Sequence, residues 1–333
     1  MYLAVPDPSS AFILLTELAL RKVEVRQEDE LLSFDLFPEA MSMVSAWWST
    51  IHRIGCTQEP QYAVMPKGKR FTVSNAALMR PLGELVRHVA SSWIIEMIRD
   101  KRLTTFFQPI VRVAEPGQIF AHECLTRGVR PKGELVSPDR VFEAARNERV
   151  LTEVDRASRV GSITAFGRAR AAGKAFVNVN PTVAFGAADM AATTAAVRAA
   201  GLKPEQIVFE IIESDNVADE RRLVRIADSY RSKGFGVALD DFGSGYSGLK
   251  FLSAMRPDYV KLDKKLIQNI DQDPYRQRMA EQILTMARRL GATSVVEGIE
   301  REGEYHFVRE AGADLAQGYL FGRPSAEPAL RMS

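Results

Sequence analysis

Residues 207–241, IVFEIIESDNVADERRLVRIADSYRSKGFGVALDD, decide the fold that the sequence predicts. The stretch begins with an apolar run at 207–212 and closes with a second apolar run at 236–241, which ends in two aspartates. Between them, residues 223–232 have the spacing of an amphipathic helix. A short apolar strand, a helix and another short strand are typical of a parallel β-α-β unit.

The same alternation continues on both sides of this stretch. The first two apolar runs are joined by a turn at Gly117, which predicts an antiparallel hairpin, and helical patterns such as 138–148 and 275–290 separate later runs. Eight strands over about 235 residues match the size of a (β/α)8 barrel. The predicted fold is therefore α/β, a TIM-like barrel with an initial antiparallel hairpin, preceded by a small α/β N-terminal region. The eight runs are FFQPIVRV, IFAHECLTR, AFVNVN, IVFEII, GVALDD, DYVKLD, TSVVEGI and ADLAQGYLF.

Residues 1–98 do not show this alternation of strand and helix patterns, so we predict two domains, 1–98 and 99–333. The first ends in an amphipathic helical pattern with apolar residues three and four positions apart, and two interpretations of it remain open. It is a helix packed on the barrel or within a small domain of its own, or it is a connector that dimerises or transmits a signal. The second interpretation makes 1–98 a regulatory or sensory region. The apolar positions are Leu78, Leu82, Leu85, Val89, Trp93 and Met97.

Composition limits the classes of function. The 333 residues are 46% hydrophobic and 26% charged, which is typical of a folded globular protein. Lysine and arginine (44) nearly balance aspartate and glutamate (42), so we expect neither a DNA-binding surface nor a broad membrane-binding one. Cys56 and Cys124 lack the spacing of a disulfide framework or zinc site, which favours a reducing cytoplasm. The apolar stretch 11–20 is too short for a membrane span and predicts a core helix.

Polar side chains lie near the ends of the predicted strands, where barrel enzymes place their active sites. A single one of them would be explained as a buried polar group satisfied by neighbouring backbone, but so many strands ending in this way favour a shared site. Their carboxylate and amide oxygens suit Mg²⁺ or Mn²⁺, which would also relieve the repulsion between the acids. The residues are Glu123, Asn178, Glu210, Glu213, Asp240, Asp241, Lys261, Glu297, Glu300 and Gln317.

The adjacent Asp240 and Asp241 are informative because neighbouring side chains of a strand point to opposite faces. If the strand ends at Asp240 and Asp241 begins the loop, both carboxylates can reach metal, one at each of two sites; the alternative is a helix cap and a surface acid. Two-metal carboxylate clusters are typical of phosphoester hydrolysis. Lys261 could then contact the nucleophilic water or a phosphate, and Arg127 could hold a phosphate oxygen, unless these two are a surface residue and a salt-bridge partner.

Together the motifs resemble those of the EAL-domain family, phosphodiesterases that open cyclic di-GMP to linear pGpG. The resemblance covers about residues 106–324, and its name-giving triplet reads ECL here, with Cys124 in place of alanine. Cys124 is expected to point away from the site because it neighbours Glu123 in a strand. The motifs occur in the family's order: FFQPIV, ECLTR, VNVNP, FEIIES, LDDFGSGYSGL, DYVKLD, VVEGIE and QGYLFGRP.

The resemblance implies a role for each matching residue. Lys261 would lie near the nucleophilic water, Glu297 near the second metal as a candidate base, and Glu123 would serve both catalysis and metal binding. Glu213 and Glu300 would stabilise a loop. The implied metal ligands are Glu123, Asn178, Glu210, Asp240 and Asp241. The implied substrate-binding residues are Gln108, Leu125, Arg127 and Gln317.

The expected function is therefore metal-dependent hydrolysis of cyclic di-GMP in bacterial signalling, with Mg²⁺ or Mn²⁺ at a two-metal site. The resemblance also implies a homodimer formed through the barrel. Residues 1–98 contain no GGDEF signature, so we do not expect a second, cyclase activity. The alternatives are a catalytically silent receptor for cyclic di-GMP and a protein-interaction module.

Overall fold

The computed structural model describes residues 1–4, 14–15, 18, 23–28, 31–34, 38–53, 60–63, 79–183, 186–212, 220–243 and 248–329. The chain forms two compact units. One contains Met1–Ile95 and Glu143–Glu148, and the other contains Glu96–Phe142 and Arg149–Ser333. No helix in the described part of the chain is both long enough and apolar enough to cross a membrane.

The first unit contains a five-stranded antiparallel sheet with the strand order β2-β3-β1-β4-β5. The same unit contains helices α1 (Pro38–Arg53) and α2 (Leu82–Ser91). Leu3, Val44 and Leu82 belong to one buried cluster, which explains the apolar spacing of these segments. The strands are β1 (Tyr2–Ala4), β2 (Val25–Glu28), β3 (Leu31–Phe34), β4 (Gln61–Ala63) and β5 (Arg80–Pro81).

The single amphipathic helix expected across residues 78–97 is interrupted twice. Arg80–Pro81 forms strand β5, which pairs with β4, so α2 begins only at Leu82. The ring of Pro81 fixes its φ angle, and its backbone is extended. Ser92 then separates α2 from α3 (Trp93–Arg99). Leu78 and most of the predicted core helix at 11–20 lie outside the described residues, although Leu14 and Leu18 are buried.

The second unit is a closed barrel of eight strands. Strand β6 lies antiparallel to both β7 and β14, and the remaining neighbours are parallel. The connection from β6 to β7 is too short for a helical crossover, so these strands can only form a hairpin. The predicted fold class is confirmed. The barrel strands are β6 (Leu103–Arg112), β7 (Ile119–Val129), β9 (Lys174–Val179), β10 (Ile207–Ile212), β11 (Gly236–Phe242), β12 (Tyr259–Leu262), β13 (Thr293–Val296) and β14 (Leu315–Gln317).

Helices follow the strands and cover the outside of the barrel. Phe166 of α5 and Leu284 of α10, for example, share a buried cluster with outward residues of the strands such as Val177. A short strand, β8 (Leu135–Val136), extends the sheet beside β7. The helices are α4 (Pro138–Asn147), α5 (Leu151–Arg168), α6 (Ala187–Ala199), α7 (Glu220–Arg231), α8 (Gly248–Met255), α9 (Lys264–Ile267), α10 (Pro274–Arg289) and α11 (Glu302–Glu310).

Two layers of side chains position the candidate site. The first, which we call the apolar layer, takes one buried residue from each barrel strand: Ile110, Ala121, Phe176, Val208, Ala238, Tyr259, Val295 and Leu315. Two positions from each of these residues, and on the same face, lies a polar residue, which belongs to the strand in seven cases and directly follows β13 in the case of Glu297. This polar layer consists of Gln108, Glu123, Asn178, Glu210, Asp240, Lys261, Glu297 and Gln317.

Candidate active site

The polar layer brings together side chains from all eight strand positions; the strand-end pattern predicts seven of them, from the second strand onward, and Gln108 of the first strand is the eighth. It lies at the carboxyl ends of the seven parallel strands and is completed by Gln108 of the antiparallel strand β6. Six of its eight residues are buried, and Asn178 and Glu297 are half-buried. Residues separated by up to 209 positions in the chain therefore contact one another directly.

Lys261 is the cation at the centre of the polar layer, and its side chain is 1% exposed. Burial alone would lower the pKa of this ammonium group, but the carboxylates around it outweigh that effect and hold the pKa well above its usual range. The lysine thus holds the acids together by charge. Its Nζ atom lies 2.5 Å from Glu210 Oε1, 2.6 Å from Glu297 Oε1, 3.0 Å from Asp240 Oδ1 and 3.8 Å from Glu123 Oε2.

One lysine does not neutralise the surrounding acids. Burial raises the pKa of Glu297 to about 8, with Lys261 opposing the shift and the charge of Asp240 adding to it. Burial likewise raises the pKa of Glu210 well above its usual range. Burial and the charge of Asp240 raise the pKa of Asp241 to about 6. Glu297 therefore holds a proton at neutral pH, and Asp241 takes one up in mildly acidic solution, unless another cation is present.

Asp240 and Asp241 both reach the site, but not in the way that we expected. Strand β11 does not end at Asp240, because it continues to Phe242, and its pairing with β12 shifts register between Leu239 and Phe242. Asp241 adopts a left-handed backbone with φ of 55°, which an aspartate tolerates better than most residues. This irregularity removes the usual alternation of faces. Ligand oxygens of Asp240, Asp241 and Glu297 consequently lie within 4.8 Å of one another.

Two amides orient the carboxylate of Glu123. Asn178 Nδ2 donates to Glu123 Oε1 at 3.1 Å, and Gln317 Nε2 donates to Glu123 Oε2 at 2.6 Å. Both carboxylate oxygens are thus held in place by donors from β9 and β14. Hydrogen bonds of this kind pre-orient a metal ligand.

The donor set of the polar layer fits a hard divalent cation. It consists of oxygen atoms, and Glu210 Oε2 is buried without a hydrogen bond from any described residue. An unsatisfied buried carboxylate oxygen and a compact group of three acids are the features that a divalent cation would satisfy. The described residues therefore form a candidate metal site.

Leu125 and Arg127 extend from this site along strand β7. Both share a face with Glu123 because they follow it by two and four positions, which places Arg127 about 13 Å from it along the strand. The Arg127 guanidinium lies 5.6 Å from the centre of the Phe106 ring, and burial lowers the pKa of this half-buried side chain. Cys124 packs on the opposite face with Phe107 in the outer core.

Three parts of the predicted site are not assembled by the described residues. Glu213 and residues 244–247, which belong to the glycine-rich motif LDDFGSGYSGL, lie outside the described residues. Glu300 is exposed, and its backbone N–H donates to Glu304 Oε2 at 2.9 Å. The loop-stabilising roles of Glu213 and Glu300 therefore stay predictions.

Asp263 is a buried acid near the site for which the sequence suggested no role. Its Oδ1 accepts a 2.5 Å hydrogen bond from the backbone N–H of Lys265 at the start of α9, and its charge contributes to the raised pKa of Asp241. An aspartate directly before a helix is the usual sign of an N-cap, which could have identified the hydrogen bond. Its proximity to Asp241 depends on the irregular end of β11.

Comparisons with known proteins agree with this geometry. The family model described as EAL domain matches residues 92–324. The cyclic di-GMP phosphodiesterase NbdA of Pseudomonas aeruginosa is 30% identical over 241 residues, which are 71% of this chain and 30% of that protein. The probable cyclic di-GMP phosphodiesterase PdeG of Escherichia coli is 26% identical, with 68% of this chain and 45% of that protein covered. The chain thus spans less than half the length of both relatives.

Solved structures give the same result for the barrel. A standalone EAL protein of Vibrio cholerae, crystallised in its c-di-GMP-bound form, is 32% identical with a TM-score of 0.63, covering 69% of this chain and 95% of that one. The FimX EAL domain of Pseudomonas aeruginosa bound to c-di-GMP is 21% identical with a TM-score of 0.66, covering 73% of this chain and 98% of that one. At 21% identity the FimX EAL domain supports only the assignment of the fold.

Proposed function

The chain belongs to the EAL domain family, and on this premise we propose that it hydrolyses cyclic di-GMP to linear pGpG with Mg²⁺ or Mn²⁺. The observation that carries the proposal is the polar layer, in which Glu123, Glu210, Asp240 and Glu297 surround Lys261. Relatives named cyclic di-GMP phosphodiesterases and a 32% identical structure with c-di-GMP bound support the choice of substrate.

In this proposal the metal would be held by Glu123, Asn178, Glu210, Asp240 and Asp241. A bound divalent cation supplies Lewis acidity, which makes water a better nucleophile and offsets the charge on the phosphate. The amide groups of Asn178 and Gln317 keep Glu123 oriented for binding. Ligand oxygens of Asp240, Asp241 and Glu297 lie within 4.8 Å of one another, so both aspartates would contribute to metal binding, and the second cation of the proposal rests on the resemblance to the family.

The other residues of the site would act on water and substrate. Glu297 is the candidate base, because a carboxyl group with a pKa of about 8 exchanges protons near neutral pH. Lys261 would donate hydrogen bonds to the attacking water or to a phosphate oxygen. Arg127, at the far end of the same face of β7, would hold the second phosphate in the fork of its guanidinium, and Leu125 would contact the substrate between them.

An assay of product formation tests this function. We expect purified protein to convert cyclic di-GMP to pGpG with Mg²⁺ or Mn²⁺, and conversion to stop in chelator and in Glu123→Ala or Asp240→Asn. Glu115→Ala, in the exposed hairpin turn, is the matched control and should retain full turnover. Metal-dependent hydrolysis that survives either site substitution would overturn the proposed site. Binding without product would identify a receptor.

We also propose that residues 1–98 regulate the barrel and that the protein forms a homodimer. The compact first unit, with its own buried core, supports a separate role for this region. Turnover and sedimentation of the full chain would be compared with those of a chain beginning at residue 99. Equal rates and equal oligomeric states would contradict regulation, and a monomeric full chain would contradict the dimer.

A further inference from the structure

Gln108 is the one member of the polar layer whose strand runs antiparallel to the other seven. Its side chain is 8% exposed, and both ends of its amide bind within the protein. Nε2 donates to the backbone carbonyl of Gly322 at 3.2 Å, and Oε1 accepts from Gln317 Nε2 at 3.1 Å. Each end of the amide therefore has a partner within the protein, and these two partners orient the side chain.

The acceptors at the two ends of this series of hydrogen bonds, the Gly322 carbonyl and the Glu123 carboxylate, fix its direction. The Gly322 carbonyl can only accept, so Gln108 must present its NH₂ group there and its oxygen to Gln317. Gln317 must then present its own NH₂ group, which has a second hydrogen for the Glu123 carboxylate. The acceptor at Gly322 and the carboxylate of Glu123 thereby require the same orientation of both amides.

Backbone pairing holds the Gly322 carbonyl in place. Ser325 forms two backbone hydrogen bonds with Phe107, the neighbour of Gln108, at 2.7 and 3.0 Å. Further along, the Ala329 carbonyl lies 3.1 Å from Nε2 of the buried His122. The segment 322–329 is thus anchored to strands β6 and β7 at points on both sides of the site residues Gln108 and Glu123.

From this geometry we propose that Gln108 is a positioning residue, which transmits the orientation of the Gly322 carbonyl through Gln317 to the Glu123 carboxylate. The proposal deepens the function proposed above, because Glu123 is the metal ligand being oriented. It also makes the C-terminal segment part of the site. Through this series of hydrogen bonds the side chain of Gln108 acts on a metal ligand, so its loss should change Mn²⁺ affinity and kcat more than KM.

The test is the Gln108→Met variant, which keeps the size of the side chain and removes the amide. We expect Mn²⁺ affinity, measured by calorimetry on the protein with Mn²⁺ alone, to fall about 10-fold or more, as when partners of metal ligands are lost. With cyclic di-GMP, kcat should fall while KM changes little. Gln118→Met, on the exposed hairpin turn, is the matched control and should change neither quantity.

Gly322→Ala is a second variant that alters no polar side chain. Its Cβ would lie 2.9 Å from Pro109 Cγ, so the backbone at residue 322 or Pro109, the neighbour of Gln108, must shift and disturb the hydrogen bond between Gln108 and the residue 322 carbonyl. We expect the same loss of Mn²⁺ affinity as in Gln108→Met. This variant decides the question if Gln108→Met does not fold, and the melting temperature in chelator reports any general loss of packing.

A raised KM with unchanged Mn²⁺ affinity would overturn the proposal and return Gln108 to the substrate-binding set. Unchanged Mn²⁺ affinity in both variants, or a wild-type protein that binds no Mn²⁺, would also overturn it. If the wild-type protein binds Mn²⁺ but forms no pGpG, the proposed function fails while the Mn²⁺ measurement still decides the positioning role.

Discussion

Replacing Lys261 with methionine removes the only cation from the polar layer and keeps most of the apolar stem. The ammonium group contacts carboxylates on four strands, and its side chain is 1% exposed, so solvent does not replace it. Breaking a buried ion pair by removing one partner costs about 3–5 kcal/mol. For a domain of this size, that cost corresponds to a fall in melting temperature of roughly 6–20 °C.

The measurement is thermal unfolding of wild-type and Lys261→Met protein in chelator at pH 8, where more of the carboxyl groups are ionised. At pH 6 the difference should shrink, because Lys261 lowers the pKa of Glu297, so its loss raises that pKa further and a proton takes the place of the lost charge. Added Mn²⁺ should shrink it as well. Lys265→Met, an exposed lysine four positions away, is the control. A Lys261→Met protein as stable as wild type in chelator at pH 8 would refute this account.

Three further predictions concern stability. The folded-state pKa of Glu297 is raised, so protonation of this carboxyl group stabilises the fold fully below about pH 4.5, and that stabilisation is lost as the pH rises through about 8. The melting temperature of the wild-type protein in chelator should therefore fall between pH 6 and 9, and that of Glu297→Gln should fall less. Gly298→Ala should lower the melting temperature by several degrees, because φ is 72° and the new Cβ would overlap Lys264 Cβ. Gly117→Ala, with open space around it, should not lower it. Phe176→Ala should lower the free energy of unfolding in denaturant titrations by about 3–5 kcal/mol, since it leaves a cavity in the apolar layer; a loss below 1 kcal/mol would contradict that packing.

Much of the site could be predicted from sequence because a barrel strand has a period of two. An apolar residue followed two positions later by a polar one, as in Phe176 and Asn178 or Val208 and Glu210, places the pair on one face and in adjacent layers. The order of strands around the barrel follows from the helical crossovers. These two rules suffice to bring Glu123, Asn178 and Glu210 to the same end of the barrel.

The features that could not be predicted depend on backbone geometry and on distant partners. The left-handed conformation of Asp241 and the register shift that continues β11 to Phe242 have no signal in an aspartate pair. The acceptor for Gln108 is a backbone carbonyl 214 positions away, which carries no side-chain identity to detect. The break at Ser92 shows the same limit, because apolar spacing is continuous across it.

The two layers together explain why a divalent cation at this site would compete with protons. The apolar layer contributes a buried floor of side chains, so the carboxyl groups above it lose hydration and their pKa values rise. Lys261 compensates part of the charge, and the remainder must be met by protons on groups such as Glu297, Glu210 and Asp241 or by a divalent cation. A cation that binds the ionised oxygens therefore displaces protons, and its affinity must rise with pH across the range in which these groups titrate. The same burial that makes the site unstable without a cation thus favours divalent metal over water as the partner of its oxygens.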